Sequence, residues 1–288
     1  MNMRVKRFFE KLSTLDRRII YCLIGVSIII SLIGKLQFRE FPSAMTKKVF
    51  ATIESLPKDA KVLVAMDYDP PSEPELHPMA TAFVRQLAAK EVNLYFVALW
   101  PMGQVMTSKI VDKVLKKKFP DYQYGKDYVD LGFKSGNQGV INVMRTNIKK
   151  LFTTDRGGTD INSIPLMEHV SSLKDFDLIV SVSAGYPGII EWIQFGSDPA
   201  GVPIINGSTA VQAPQVFPYF PRQLAGVLGG IKAAAEYESL VKERYPEIAG
   251  DENMAIMRMG PQTIAHLIII FFIVVGNICY FVTRKMSV

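Results

Sequence analysis

The chain has 288 residues, of which 33 are basic and 27 acidic, giving a net charge of +6, and 49% are hydrophobic. That length suits one large domain or two small ones. Nine basic and two acidic residues lie outside Arg39 to Arg258, leaving 24 basic and 25 acidic inside, so the middle of the chain is near neutral and no nucleic-acid partner is expected. Both cysteines, Cys22 and Cys279, fall in apolar runs near the ends, which excludes a disulfide or a thiol nucleophile from the centre.

Residues 1–18 form a basic tail with Arg4, Lys6, Arg7, Lys11, Arg17 and Arg18. The uncharged run "IIYCLIGVSIIISLIG" from Ile19 follows, and a membrane span wants about 20 apolar residues. With Lys35 snorkelling and Leu36 to Phe38 added, it predicts a transmembrane helix over 19–38. A cleavage point at Ala44 in "FPSAM" is poor, so an uncleaved anchor is the expectation. Near the other end, "IAHLIIIFFIVVGNICYFV" predicts a second span over 261–283, followed by a short tail, 284–288, with Arg284 and Lys285. Basic flanks put both tails in the cytoplasm and the domain between the spans, 39–258, outside it. The contrast is softened by Lys35, Arg39, Lys47 and Lys48 on the other side. The lipid bilayer is thus the first expected partner.

Within that domain, strands and helices alternate. Val62 to Met66 reads as a strand, and Met79, Phe83 and Leu87 mark one face of a helix over 79–90. Val92 to Trp100 is a second strand. A helix capped by Thr107 then turns Ile110, Val111, Val114 and Leu115 inward. Asp127 to Phe133 is a weaker strand, followed by a helix with Val140, Met144, Ile148 and Leu151 in register. A short helix around Leu166 to Leu173 leads to a buried strand, Asp177 to Ser183. A helix from Pro187, stopped by Gly196, then "VPIING" and a long amphipathic helix over Pro221 to Tyr245 complete the order. This pattern predicts an α/β, three-layer, mostly parallel five-stranded sheet of flavodoxin-like type held between the two spans.

Ligands of such sheets bind beyond the carboxyl ends of the strands. Those ends supply the candidate site: Asp67 and Asp69 after the first strand, Lys134, Ser135 and Asn137 after the third, Ser183, Gly185 and Tyr186 after the fourth, and Asn206 and Ser208 at the fifth. Glycines and free amides at helix starts there favour an anion. The spacing Asp67-x-Asp69 is similar to the start of the haloacid-dehalogenase phosphatase signature, and "LIVSVS" to its second motif. That resemblance implies a nucleophilic Asp67, an acid Asp69 and Mg²⁺ between them. The later acidic pair such enzymes need is absent from "PIINGSTA", and Pro70-Pro71 replaces the usual helical turn. "SVSAG" sits where a serine nucleophile belongs, yet the sole later histidine, His266, lies in the second span. His77 with Glu73 and Glu75 lacks the spacing for a metal, so neither a metal nor a cofactor is expected.

Assembly supplies the other expectation. Gly226 and Gly230, four apart on the predicted last helix, would clear a face for close packing. Phe217, Tyr219 and Phe220 stand among three prolines as a candidate interface. The expected function is a non-catalytic, self-associating component of a membrane or envelope assembly, with homo-oligomers or other membrane proteins as partners. An extracytoplasmic small-molecule or anion sensor stands second, and a metal-dependent hydrolase using Asp67 and Asp69 third.

Overall fold

The computed structural model describes residues 12, 16–38, 40–249 and 253–285. The tail residues Arg4, Lys6, Arg7 and Lys11, together with Arg39, lie outside them. The chain divides into a central unit, Glu40–Ile256, and a second unit formed by its two ends.

The central unit is built on six parallel strands: β1 Lys61–Asp67, β2 Asn93–Ala98, β3 Tyr128–Phe133, β4 Leu178–Ser183, β5 Ile204–Ser208 and β6 Gly226–Gly229. Their order is β3-β2-β1-β4-β5-β6. This corrects the expected five-stranded, flavodoxin-like sheet, whose order would be 2-1-3-4-5; the order 3-2-1-4-5-6 reverses direction between β1 and β4. The sixth strand was hidden in the predicted last helix. Gly226 stands on β6, where a Cβ would come within 2.6 Å of Val49 Cγ2, and Gly230 has φ +71, a left-handed conformation that opens the helix behind it. Their spacing of four therefore belongs to a strand and its turn, and it makes no helical contact face.

Helix α1, Arg17–Ile33, belongs to the end unit; within the central unit, α2 (Ala44–Glu54) was not anticipated. It is capped by the Ser43 hydroxyl and packs on β6. Helix α3 (Glu73–Ala89) begins six residues before the predicted Met79, because Pro74 falls in the first turn, where no intrahelical N–H is required. Met79, Phe83 and Leu87 are fully buried on it, as their spacing implies. Helix α4 (Gly103–Ile110) starts at Gly103 instead of Thr107, whose hydroxyl bonds back to the Gly103 carbonyl at 3.0 Å. It continues as a π-helical turn over Val111–Leu115, with Ile110, Val114 and Leu115 enclosed. Helix α5 (Gln138–Thr146) gives way at Asn147, which caps a further turn, Ile148–Leu151. Between Leu166 and Leu173 only 3-10 turns form. After β4 the chain is helical through Ile189–Glu191, a π segment Trp192–Ser197 and Asp198–Ala200, stopping at Gly201 and not at Gly196. Helix α6 (Gly230–Arg244) closes the layer containing α2 and α3.

On the other face of the sheet, Leu63, Ala65, Tyr95, Val129, Ile179 and Ile204 meet α5 and the π segment in one apolar cluster. Side chains alternate across a strand, so Asp67 shares that face with Leu63 and Ala65.

In the end unit, α1 has 17 residues and is followed by a turn in which Lys35 has φ +46. At about 1.5 Å per residue it spans about 26 Å, and Leu36 to Phe38 do not extend it. The C-terminal helix α7, Met254–Lys285, is different. Among the described residues it alone is long and apolar enough to cross a membrane, over Met254–Thr283 with mean hydropathy 2.4.

Candidate functional site

The strand register assembles four of the expected residues. Leu63, Ile179 and Ile204 form one row across β1, β4 and β5; Ala65, Ser181 and Asn206 form the next; Asp67, Ser183 and Ser208 form the last. An apolar sheet face thus becomes polar within four residues, at the point where the strand order reverses. All five polar side chains in these rows are fully buried. The Asp67 carboxylate accepts from the Leu99 N–H at 2.6 Å and the Trp192 Nε1–H at 2.7 Å. Ser183 Oγ accepts from the Ile189 N–H at 3.1 Å. Asn206 donates to the Ser181 carbonyl at 2.9 Å and accepts from the Ser208 hydroxyl. The Ser181 hydroxyl has no hydrogen-bond partner among the described residues.

Burial pushes the Asp67 carboxyl up to about 7, against the opposite pull of the Leu99 and Trp192 N–H groups and with a small upward push from Glu191. The group is therefore poised between its two protonation states at neutral pH.

A roof covers this polar floor. Trp192 hangs from the π segment, and Trp100 reaches over from the end of β2 to donate to the Pro187 carbonyl at 2.7 Å. The Trp100 ring also lies against Gly185. From the other side the first turn of α4 presses on β1: a Cβ at Gly103 would sit 2.0 Å from the Met66 carbonyl oxygen, a position only glycine fits. At the crevice that doubly wound sheets offer to ligands, Trp192 therefore engages Asp67 directly and Trp100 bridges from the end of β2 to Pro187.

The acidic loop after β1 does structural work. The Asp69 carbonyl accepts from Ser72 and Glu73, and its carboxylate from the Ser72 hydroxyl at 3.1 Å. Asp67 and Asp69 thus serve different neighbours, the first the Leu99 and Trp192 N–H groups and the second the Ser72 hydroxyl. Glu73 pairs with Lys109 of α4 at 2.8 Å, and Glu75 accepts from the Ala210 N–H at 2.9 Å. His77 is buried and shares a hydrogen bond with Tyr68 at 2.9 Å. Among the described residues no three metal-ligating side chains gather.

Other expected residues scatter. Lys134 lies 5.4 Å from the Phe152 ring centroid, while Ser135 and Asn137 are exposed. Tyr186 is 59% exposed and donates to Gln138 at 2.5 Å, tying the loop after β4 to the start of α5. Gly185 and Tyr186 line a pocket of about 340 Å³ with Thr209 and Gln212. Gln212 is buried; its amide donates to the Gly185 carbonyl at 3.2 Å, and its Oε1 has no donor among the described residues. Phe217 is 51% exposed, Tyr219 accepts from Gln194 at 2.7 Å, and the Phe220 ring lies under Lys48 at 4.5 Å. Trp192 and Gln212 were not singled out from the sequence, and Trp100 was read only as the end of the second strand. The composition held one signal for Trp100 and Trp192: they are the only tryptophans in the chain.

No protein-family profile matches the chain, and no curated protein matches it in sequence.

Proposed function

We propose that this is a two-span membrane protein displaying its α/β domain, 39–258, outside the cytoplasm, where it acts as a non-catalytic component of a membrane or envelope assembly. Both tails are cytoplasmic, and the short α1 serves as the first span with Arg17 and Arg18 at its cytoplasmic edge. The observation that carries the reading is the occupied switch point: Asp67 holds two N–H donors under a roof of Trp100 and Trp192, and neither of its oxygens is left to attack a substrate. A domain closed where its fold would bind a ligand acts through its surface. Tyr186, Val211 and Phe217, at 59%, 82% and 51% exposure, give the loops after β4 and β5 an apolar character suited to contacts with other subunits. Association is favoured by the tether, which confines copies to one plane and raises their effective concentration.

Native mass spectrometry of the full-length protein, released in mild detergent, tests this. Integer multiples of the chain mass support an assembly component. A monomer would overturn it, and a reproducible small mass that Gln212→Ala removes would favour a second function, small-molecule binding in the pocket between the loops after β4 and β5, where Gln212 Oε1 has no donor among the described residues.

A further inference from the structure

At the β3 edge of the sheet, away from the closed switch point, lies an open cleft of about 530 Å³. Its central side chain is Arg156. The Arg156 Nη1 donates to Asp130 Oδ2 at 3.2 Å, to the Gln104 carbonyl at 3.1 Å and to the Ser108 hydroxyl, while its backbone N–H donates to the Asp130 carbonyl at 2.9 Å. Asp130 is 7% exposed and is fixed in turn by the Gly132 N–H at 2.9 Å. One nitrogen of the guanidinium is thus anchored by three acceptors. No acceptor among the described residues meets its Nε or Nη2, and the side chain is 38% exposed. A guanidinium edge held still and left open is a bidentate donor for a planar or tetrahedral anion.

The walls are apolar. Tyr124 and Tyr128 stand edge to face, with centroids 5.3 Å apart. Tyr124 is locked by its bond to Asp155 at 2.6 Å, and Asp155 is itself 5% exposed and accepts from the Thr159 N–H at 2.8 Å. The opposite wall is Val111, the first residue of the π-helical turn, a backbone irregularity found often at functional sites. At the rim Lys116 pairs with Asp112 at 2.8 Å, and within the cleft Arg156 pairs with Asp130, so an anion would be recognised by the open guanidinium edge and not by surplus charge.

We propose that this cleft binds a small aromatic anion, its carboxylate or phosphate on the open edge of Arg156 and its ring against Tyr124 and Tyr128. This goes beyond a role in assembly: it makes the domain a receiver of a soluble ligand at a place separate from the closed crevice.

The test is isothermal titration of the full-length protein in detergent with benzoate, phenyl phosphate, inorganic phosphate and the neutral benzamide. The expected result is saturable binding of an aromatic anion with Kd below about 1 mM, and binding of benzamide and of inorganic phosphate at least about tenfold weaker. Arg156→Lys keeps the charge but loses the fork, so it weakens binding by about tenfold. If Arg156→Lys loses its native tryptophan emission, Tyr124→Ala, at a half-exposed position, takes its place and is expected to weaken the aromatic anions by a similar factor. The proposal is overturned if neither aromatic anion saturates by about 10 mM, if inorganic phosphate binds as tightly as phenyl phosphate, or if a folded variant binds like the wild type.

Discussion

Asp67→Asn tests the closed switch point quantitatively. The folded carboxyl titrates near 7, against an ordinary value of 3.8. An acid whose pKa is raised by folding binds a proton more readily in the folded state, so stability falls as pH rises from about 4 to about 7 and stays low above that. The rise is about 3, and at about 1.36 kcal/mol for each the ionisation penalty approaches 4 kcal/mol at pH 8, an order-of-magnitude ceiling. Asparagine cannot ionise. It keeps one acceptor but turns an amide toward the second N–H, a loss of about 1–3 kcal/mol at every pH. The variant should therefore unfold at lower temperature than the wild type at about pH 4, where the ionisation penalty is still small, and close the gap or overtake it at about pH 8. Thermal unfolding of the full-length protein in detergent, followed by tryptophan emission, reads this directly, because both tryptophans border the site. Other titrating groups are common to the two proteins and cancel in the difference. Parallel stability curves from about pH 4 to about pH 8 would refute the account of Asp67 as a buried, proton-poised carboxyl.

Trp192→Phe leaves Asp67 Oδ2 without its side-chain donor and should cost about 1–3 kcal/mol, with the fall in wild-type stability displaced to higher pH in the same assay. Gly103→Ala drives a Cβ into the Met66 carbonyl and should destabilise by about 3 kcal/mol, seen as reduced accumulation and a lower Tm. Glu238 accepts from the Ala255 and Ile256 N–H groups at 2.9 and 3.0 Å, capping the start of α7; Glu238→Gln should weaken that cap by about 1 kcal/mol and speed amide exchange at 255–256 by about fivefold. Ile270→Arg, midway along the apolar helix, should cost about 2.5–3.5 kcal/mol of insertion and move protein from the membrane fraction to the soluble one.

The sheet was legible in the sequence where strands are buried on both faces: β1, β2, β4 and β5 read as short apolar runs because, past the first residues Lys61 and Asn93, nothing on them faces water. β6 was not, since Gly226-Val-Leu-Gly229 joins a helix-forming stretch without a break in hydropathy, and only the left-handed Gly230 separates them. Prolines misled at α3: four in nine residues look like a loop, yet Pro74 is tolerated in its first turn. The polar floor was half legible. Asp67, Ser183, Asn206 and Ser208 were picked as strand-end residues, but that they lie in adjacent register depends on strand order, which periodicity does not carry. Arg156 and Tyr124 were out of reach for a similar reason. They come from loops 32 residues apart, and only the fold of 119–160 against β3 brings them to one cleft.

Both ends of the central unit are fastened to one helix. Glu236 of α6 takes the Ser43 N–H at 3.0 Å and the Thr46 hydroxyl at 2.6 Å; two residues on, Glu238 takes the Ala255 and Ile256 N–H groups. Mechanically, the six-stranded body is a loop hung from a single bar. Relative displacement of Ser43 and Ala255 is thus resisted within one helix, with Tyr237 alone between the two glutamates that hold them, and the packing of α2 on β6 passes part of any such load to the edge of the sheet.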